Sequence, residues 1–131
     1  MAKTLLRTPY SSELDYFKEN LDVTGMATED NKIILNPYST LSDNEKQKVI
    51  ENETARIIMR KDKNMIPKFS LTEEQEKFLD STMAYKDASP EDRSSTIAAR
   101  IFSGDPSAGR ATEEQIQFVD NLRKKVWETN N

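Results

Sequence analysis

The sequence predicts a mainly α fold, a compact helical bundle of about five helices made of two similar helical hairpins, with a small N-terminal β-hairpin. Three observations carry this. Apolar residues recur at helical spacing through most of the chain, and Ser/Thr-x-x-Glu/Gln capping signals recur just ahead of them. One stretch near the N-terminus instead reads as two short extended runs around a polar turn.

Ser12 opens the first helix, with Asp15 three residues on to close the box, and Leu14, Phe17 and Leu21 share one face. Val23–Ala27, the polar Thr28–Asn31 and Lys32–Pro37 then read as strand, turn, strand, and Pro37 stops the second strand. A lone hairpin is marginal in water, so this one should pack on the helices. Ser42 with Glu45 opens the next helix, whose apolar stripe is Val49, Ile50, Thr54, Ile57 and Ile58; Pro67 marks the break after it. Thr72-Glu73-Glu74-Gln75 opens a helix carrying Phe78, Leu79 and Met83. Ser89-Pro90-Glu91-Asp92 combines a capping serine, a proline at the first helical position and acids at the positive end of the helix dipole. Ile97, Ala98, Ile101 and Phe102 form that helix's buried face, and Gly104 with Pro106 ends it. Thr112 opens the last helix, with Ile116, Val119, Leu122 and Val126 inward and Arg123, Lys124 and Lys125 near its C-terminus, where positive charge is favoured.

An internal repeat emerges. Thr72-Glu73-Glu74-Gln75 ahead of Phe78-Leu79-Asp80 recurs 40 residues later as Thr112-Glu113-Glu114-Gln115 ahead of Phe118-Val119-Asp120. Ala55-Arg56-Ile57-Ile58 matches Ala99-Arg100-Ile101-Phe102 at an offset of 44. Either the unit is duplicated or capping boxes recur because capping physics recurs; the shared Ala-Arg-Ile favours duplication. Two units are too few for a solenoid. The organisation expected is a single domain over 1–131: helix and β-hairpin at 1–40, a first helical hairpin at 41–83, a second at 89–128.

Composition narrows the chemistry. At 131 residues, 35% apolar and 32% charged, the chain suffices for one domain with a thin core, and its stability is expected to lean on a partner or on self-association. It has no cysteine and no histidine, which removes disulfides, thiolate metal sites, and the commonest general base and metal ligand. The net charge of −4 gives no excess of cations to neutralise phosphates. The one basic-leaning stretch, Arg56 to Lys68, is interrupted by Asp62 and reads as a solvated face. No signal peptide and no bilayer-spanning apolar run is visible, so the expected location is the cytoplasm where the protein is made, or a particle assembled there.

Two segments look like catalytic motifs and fail on chemistry. Gly104 to Thr112 has two glycines and a basic residue, as a phosphate loop does. It follows a helix rather than a strand, Pro106 removes a backbone N–H, and arginine stands in for lysine, so a helix-terminating loop explains it. Ile33 to Met59 has the layout of a zinc metalloprotease core, a short strand followed by a serine-capped helix. Where the protease pattern needs two histidines around its glutamate, this chain has Asn52, Glu53 and Arg56. Arginine cannot ligate zinc, and without a metal Glu53 has no activated water, so no metal, cofactor or hydrolysis is expected, whether the likeness is ancestry or coincidence.

A polar strip remains. Asn52, Arg56 and Arg60 follow one another at helical turns, and Glu53 can reach Arg56. The plainer reading is a solvated face; the sharper one has Glu53 and Arg56 partly buried against the strand and Asn36-Pro37-Tyr38, holding the hairpin to the bundle. Trp127 and Met26 read as core or seam, with an exposed Trp127 marking a docking contact instead.

At Thr8-Pro9-Tyr10-Ser11-Ser12-Glu13-Leu14-Asp15-Tyr16-Phe17, Gly25-Met26-Ala27-Thr28-Glu29-Asp30-Asn31, Ile34-Leu35-Asn36-Pro37-Tyr38-Ser39, Asn52-Glu53 with Ala55-Arg56, and Ser103-Gly104-Asp105-Pro106-Ser107, the chain resembles a small-protein family of tailed bacteriophages. The resemblance covers most of the length, implies a viral setting and carries over no activity or residue role. The function expected is that of a non-enzymatic accessory protein, a virion component that binds a larger phage or host protein. The alternative is a soluble early protein that binds and inhibits or redirects a host enzyme. Neither nucleic acid nor membrane is an expected partner. The candidate structural or partner-binding residues are Asn36, Tyr38, Asn52, Glu53, Arg56, Arg60 and Trp127.

Overall fold

A computed structural model describes residues 5–82 and 85–130; Met83, assigned above to the third helix, lies outside the described residues. The order is α1 (Ser11–Glu19), β1 (Gly25–Ala27), β2 (Ile33–Leu35), α2 (Asp43–Lys61), α3 (Glu73–Asp80), α4 (Pro90–Phe102) and α5 (Glu113–Asn130). Short 3₁₀ turns follow α2 at Lys63–Met65 and α4 at Pro106–Ala108.

The α1 cap is Tyr10 rather than Ser12. Glu13 accepts from the Tyr10 backbone N–H at 2.8 Å and is held by Arg7 at 2.8 and 2.9 Å, a bidentate ion pair that a Ser12–Asp15 box does not supply. The helix ends at Glu19, and Leu21 lies beyond it and exposed, while Phe17 is fully buried.

β1 and β2 pair antiparallel with Gly25 opposite Leu35, Met26 opposite Ile34 and Ala27 opposite Ile33. Asn31 takes φ 59° in the connecting turn, a conformation asparagine tolerates. A third segment, unforeseen from the sequence, joins this sheet: Leu6 bridges Ile33 in parallel, and the Arg7 N–H donates to the Ile33 carbonyl at 3.0 Å. Gly25 is required where the hairpin meets α2, since a Cβ there would lie 2.7 Å from Val49 Cγ1.

The helices cap largely as their sequences predict. Ser42, Thr72, Ser89 and Thr112 each accept from the backbone N–H three residues on, at 3.1 or 3.2 Å. α4 stops in a Schellman turn: Gly104 at φ 75° donates to Ile101, and Asp105 donates to Arg100. α2 lies along α4, and α5 packs on both. The main core joins Ala55, Ile58, Met59, Leu79, Ile97, Ala98, Ala99, Val119 and Leu122; a second cluster of Ile33, Ile50 and Ile57 lies between hairpin and α2. The two helical units close to different degrees. α5 runs along α4, whereas α3, of 8 residues, packs chiefly on the 3₁₀ turn of the second unit.

Two expectations for α5 are corrected. Its inward stripe is Gln115, Val119, Leu122 and Val126, so Ile116 turns outward and is exposed. The helix continues to Asn130, which leaves the basic residues short of its last turn. Arg123 instead donates to the terminal α4 carbonyl of Phe102 at 3.2 Å, and Lys125 pairs with Asp62 at 3.2 Å.

Candidate functional site

The α2 flank between hairpin and α4 carries the polar strip, and its residues do come together. Arg56 Nε donates to Asn52 Oδ1 at 3.2 Å and lies 3.8 Å from Glu53 Oε1. Its Nη2 reaches across to Thr96 Oγ1 on α4 at 3.2 Å and to the Tyr85 hydroxyl at 3.4 Å. Arg60, one turn on, grips the hairpin turn through the Thr28 carbonyl at 2.7 Å and Asn31 Oδ1 at 2.8 Å. Glu53, with only 14% of its side chain exposed, faces the Ala27 backbone N–H of β1. Burial pushes its carboxyl above the ordinary value, with Arg56, the Ala27 N–H and Arg60 opposing. The strip thus clamps the sheet on one side and α4 on the other.

Asn36 and Tyr38 do not belong to this group. Asn36 is buried beside the end of α1, donating to the Val23 carbonyl at 2.7 Å and accepting from the Tyr38 N–H at 2.8 Å. It ties the exits of α1 and β2 together, and the Tyr38 ring is exposed. Trp127 sits far along α5 and is 65% exposed, on the surface rather than in the core or a seam.

Two clefts open on the strip. One of about 520 Å³ lies between Met26, Ala27, Glu53, Arg56, Tyr85 and Asp92; the other, about 410 Å³, runs from Thr24 and Gly25 past Asn52 and Glu53 to Arg100. Glu53 and Tyr85 line both. On the other face of the hairpin, Tyr10, Tyr16 and Met26 line a largely apolar groove of about 580 Å³, with Arg7 stacked 4.0 Å above the Tyr10 ring. The Arg7–Glu13 pair at its rim holds the Glu13 carboxyl below the usual carboxylate range.

Three residues central to the seam escaped the sequence reading. Tyr85 lies in the connection between the units, where no periodicity flags it, yet the guanidinium carbons of Arg56 and Arg100 lie 5.8 and 5.9 Å from its ring centroid. Gln75 and Gln115, the matching glutamines of the repeated capping boxes, are buried face to face and donate to one another at 2.7 and 2.8 Å. The 40-residue offset was the available signal for that pair. The loop at Gly104 is held by Arg100, which binds Asp105 at 2.6 Å and Ser107 at 2.9 Å, folding the segment back on its own helix.

Among the described residues no three of His, Cys, Asp and Glu are grouped as metal ligands, and no helix is long and apolar enough to cross a membrane. What the arrangement offers chemically is a shielded carboxyl, two guanidiniums committed to neighbouring side chains and backbone, and apolar and aromatic surface beside β1. No protein-family model, curated protein or solved structure matches the chain.

Proposed function

We propose that the protein is a non-enzymatic docking protein, an accessory component of a phage virion that binds a larger protein. The observation that carries this reading is the groove beside α1. Tyr10 and Tyr16 are 61% and 44% exposed there, and with Met26 they form apolar surface that a partner's side chains can fill. The polar strip supports it from the other side. Arg56, Arg60 and Asn52 spend their hydrogen bonds within the fold, so they act as scaffold beneath a recognition surface. The viral setting follows from the resemblance stated above.

Mass spectrometry of purified particles tests the reading. The expected result is a fixed copy number, with Tyr10→Ser/Tyr16→Ser lowering incorporation tenfold or more while the circular-dichroism melt is unchanged. Wild-type incorporation of that double variant would remove the groove from the account. Absence from particles combined with early synthesis would move the docking to a host enzyme.

A further inference from the structure

We infer that the open edge of β1 takes an extended segment of another protein as an added strand, with alternate residues of that segment apolar and polar. The inference rests on the docking reading above and names its means. It starts from the hydrogen-bond alternation of the hairpin. Thr28 donates to the Lys32 carbonyl and Asn36 to the Thr24 carbonyl, so Thr24, Met26 and Thr28 face β2. By the same alternation the backbone groups of Gly25 and Ala27 point away from β2. The opposite side of the sheet obeys the rule: the Ile33 carbonyl, which points away from β1, is taken by Arg7.

The β1 edge has no such neighbour among the described residues. Glu53 covers the Ala27 N–H, a charged guard of the kind that natural sheet edges use. Among the described residues nothing bonds the Gly25 N–H, the Gly25 carbonyl or the Ala27 carbonyl, which face outward at strand spacing. Donors and acceptors in that order form a template that another extended backbone can match. Burial agrees, because β1 is only partly covered along its whole length while Ile33 and Ile34 of β2 are fully buried.

Space lies where the strand would run. The two clefts follow one another along this edge, the first beside Thr24 and Gly25 and the second beside Met26 and Ala27. The two faces of an added strand would meet different surroundings. Ala27 packs on Ile50 and Ile57 of α2, so side chains on its face approach Asn52, Glu53 and Arg56 of that helix, and those on the opposite, Met26 face lie towards the tyrosine-lined groove. A strand puts alternate residues on opposite faces, hence the apolar–polar pattern.

The test uses the full chain and a random dodecapeptide library displayed on filamentous phage, followed by the best binder as a synthetic peptide. At saturation, amide exchange at Gly25 should slow tenfold or more while Met26, already in the ladder, stays as it was. Single N-methylation along the peptide should weaken binding tenfold or more at the two positions, two residues apart, whose N–H groups meet the Gly25 and Ala27 carbonyls, and little elsewhere. Failure to select any peptide above the carrier phage would overturn the inference, as would binding that survives N-methylation throughout. Continued entry of the chain into particles in those cases would leave the docking reading standing and remove only the strand edge.

Discussion

The two helical units carry one Ala-Arg-Ile frame and put it to different use. Two residues before the alanine, the second unit has Ile97, fully buried in the main core; the first has Glu53, shielded beside β1. Four residues after the arginine, the second helix has already ended at Gly104, whereas the first continues through Arg60, which holds the hairpin turn. Arg100 folds back onto Asp105 and Ser107 of its own unit, while Arg56 crosses to Thr96 of the other. Positions that the units share (the glutamines, the alanines, the arginines beside Tyr85) build the seam between them. Ile57, of the shared frame, packs on Ile33 of the hairpin, and two positions at which the first unit departs from the second, Glu53 and Arg60, add polar contacts to it. The shielded carboxyl and the hairpin-gripping arginine of this protein therefore sit where the two units differ, beside the sheet.

The most disruptive way to break this contrast is to write the first unit's glutamate into the second. Ile97→Glu puts a carboxylate at a fully buried position among Leu79, Ala98 and Leu122, without the Ala27 N–H that Glu53 faces. A loss of about 4 kcal/mol or more in urea unfolding is expected, a large share of the stability of a small domain. A mild effect would mean that the two frames offer the carboxylate equivalent surroundings.

A smaller effect sharpens the shared half of the comparison. Gln75→Ala or Gln115→Ala leaves one buried amide without its reciprocal partner and opens one capping box. Each single change should cost about 1–3 kcal/mol. The double variant should fall short of the sum by about 1 kcal/mol, since the second change removes a group already orphaned. Strict additivity in the double-mutant cycle would deny that the amides form one seam.

How much of this was legible depended on whether a signal was local. Caps at Ser42, Thr72, Ser89 and Thr112 are decided within a few residues, and their sequences gave the helix starts. The α1 cap was missed because Glu13 is claimed by Arg7, an ion pair with no periodic signature. Apolar character places Ile116 inward, whereas the inward place goes to Gln115, an amide whose burial is allowed by a partner 40 residues away. Of the candidate site, the Asn52–Glu53–Arg56–Arg60 group was readable from helical spacing. Its separation from Asn36 and Tyr38, and its dependence on Tyr85, were set by tertiary packing that spacing cannot express.

The subtlest expected effect concerns the Glu53 charge itself. Its carboxyl is raised above the ordinary 4.5 by burial, so the folded chain holds that proton more tightly than the unfolded one. Glu53 thus favours folding below 4.5, and that contribution is lost as pH rises through its elevated folded value. Glu53→Gln keeps the shape, removes the titration and leaves Arg56 its bonds to Asn52 and Thr96. Relative to wild type, the variant should gain stability as pH rises from below 4.5 towards neutrality, read as a widening difference in urea midpoint. Carboxylates such as Glu13 and Asp62, which are lowered and weaken the fold as pH falls, act alike in both proteins and cancel from that difference. A pH-independent difference would place Glu53 in an environment that treats its charge as water does, and the distinction drawn between Glu53 and Ile97 would then be one of shape alone.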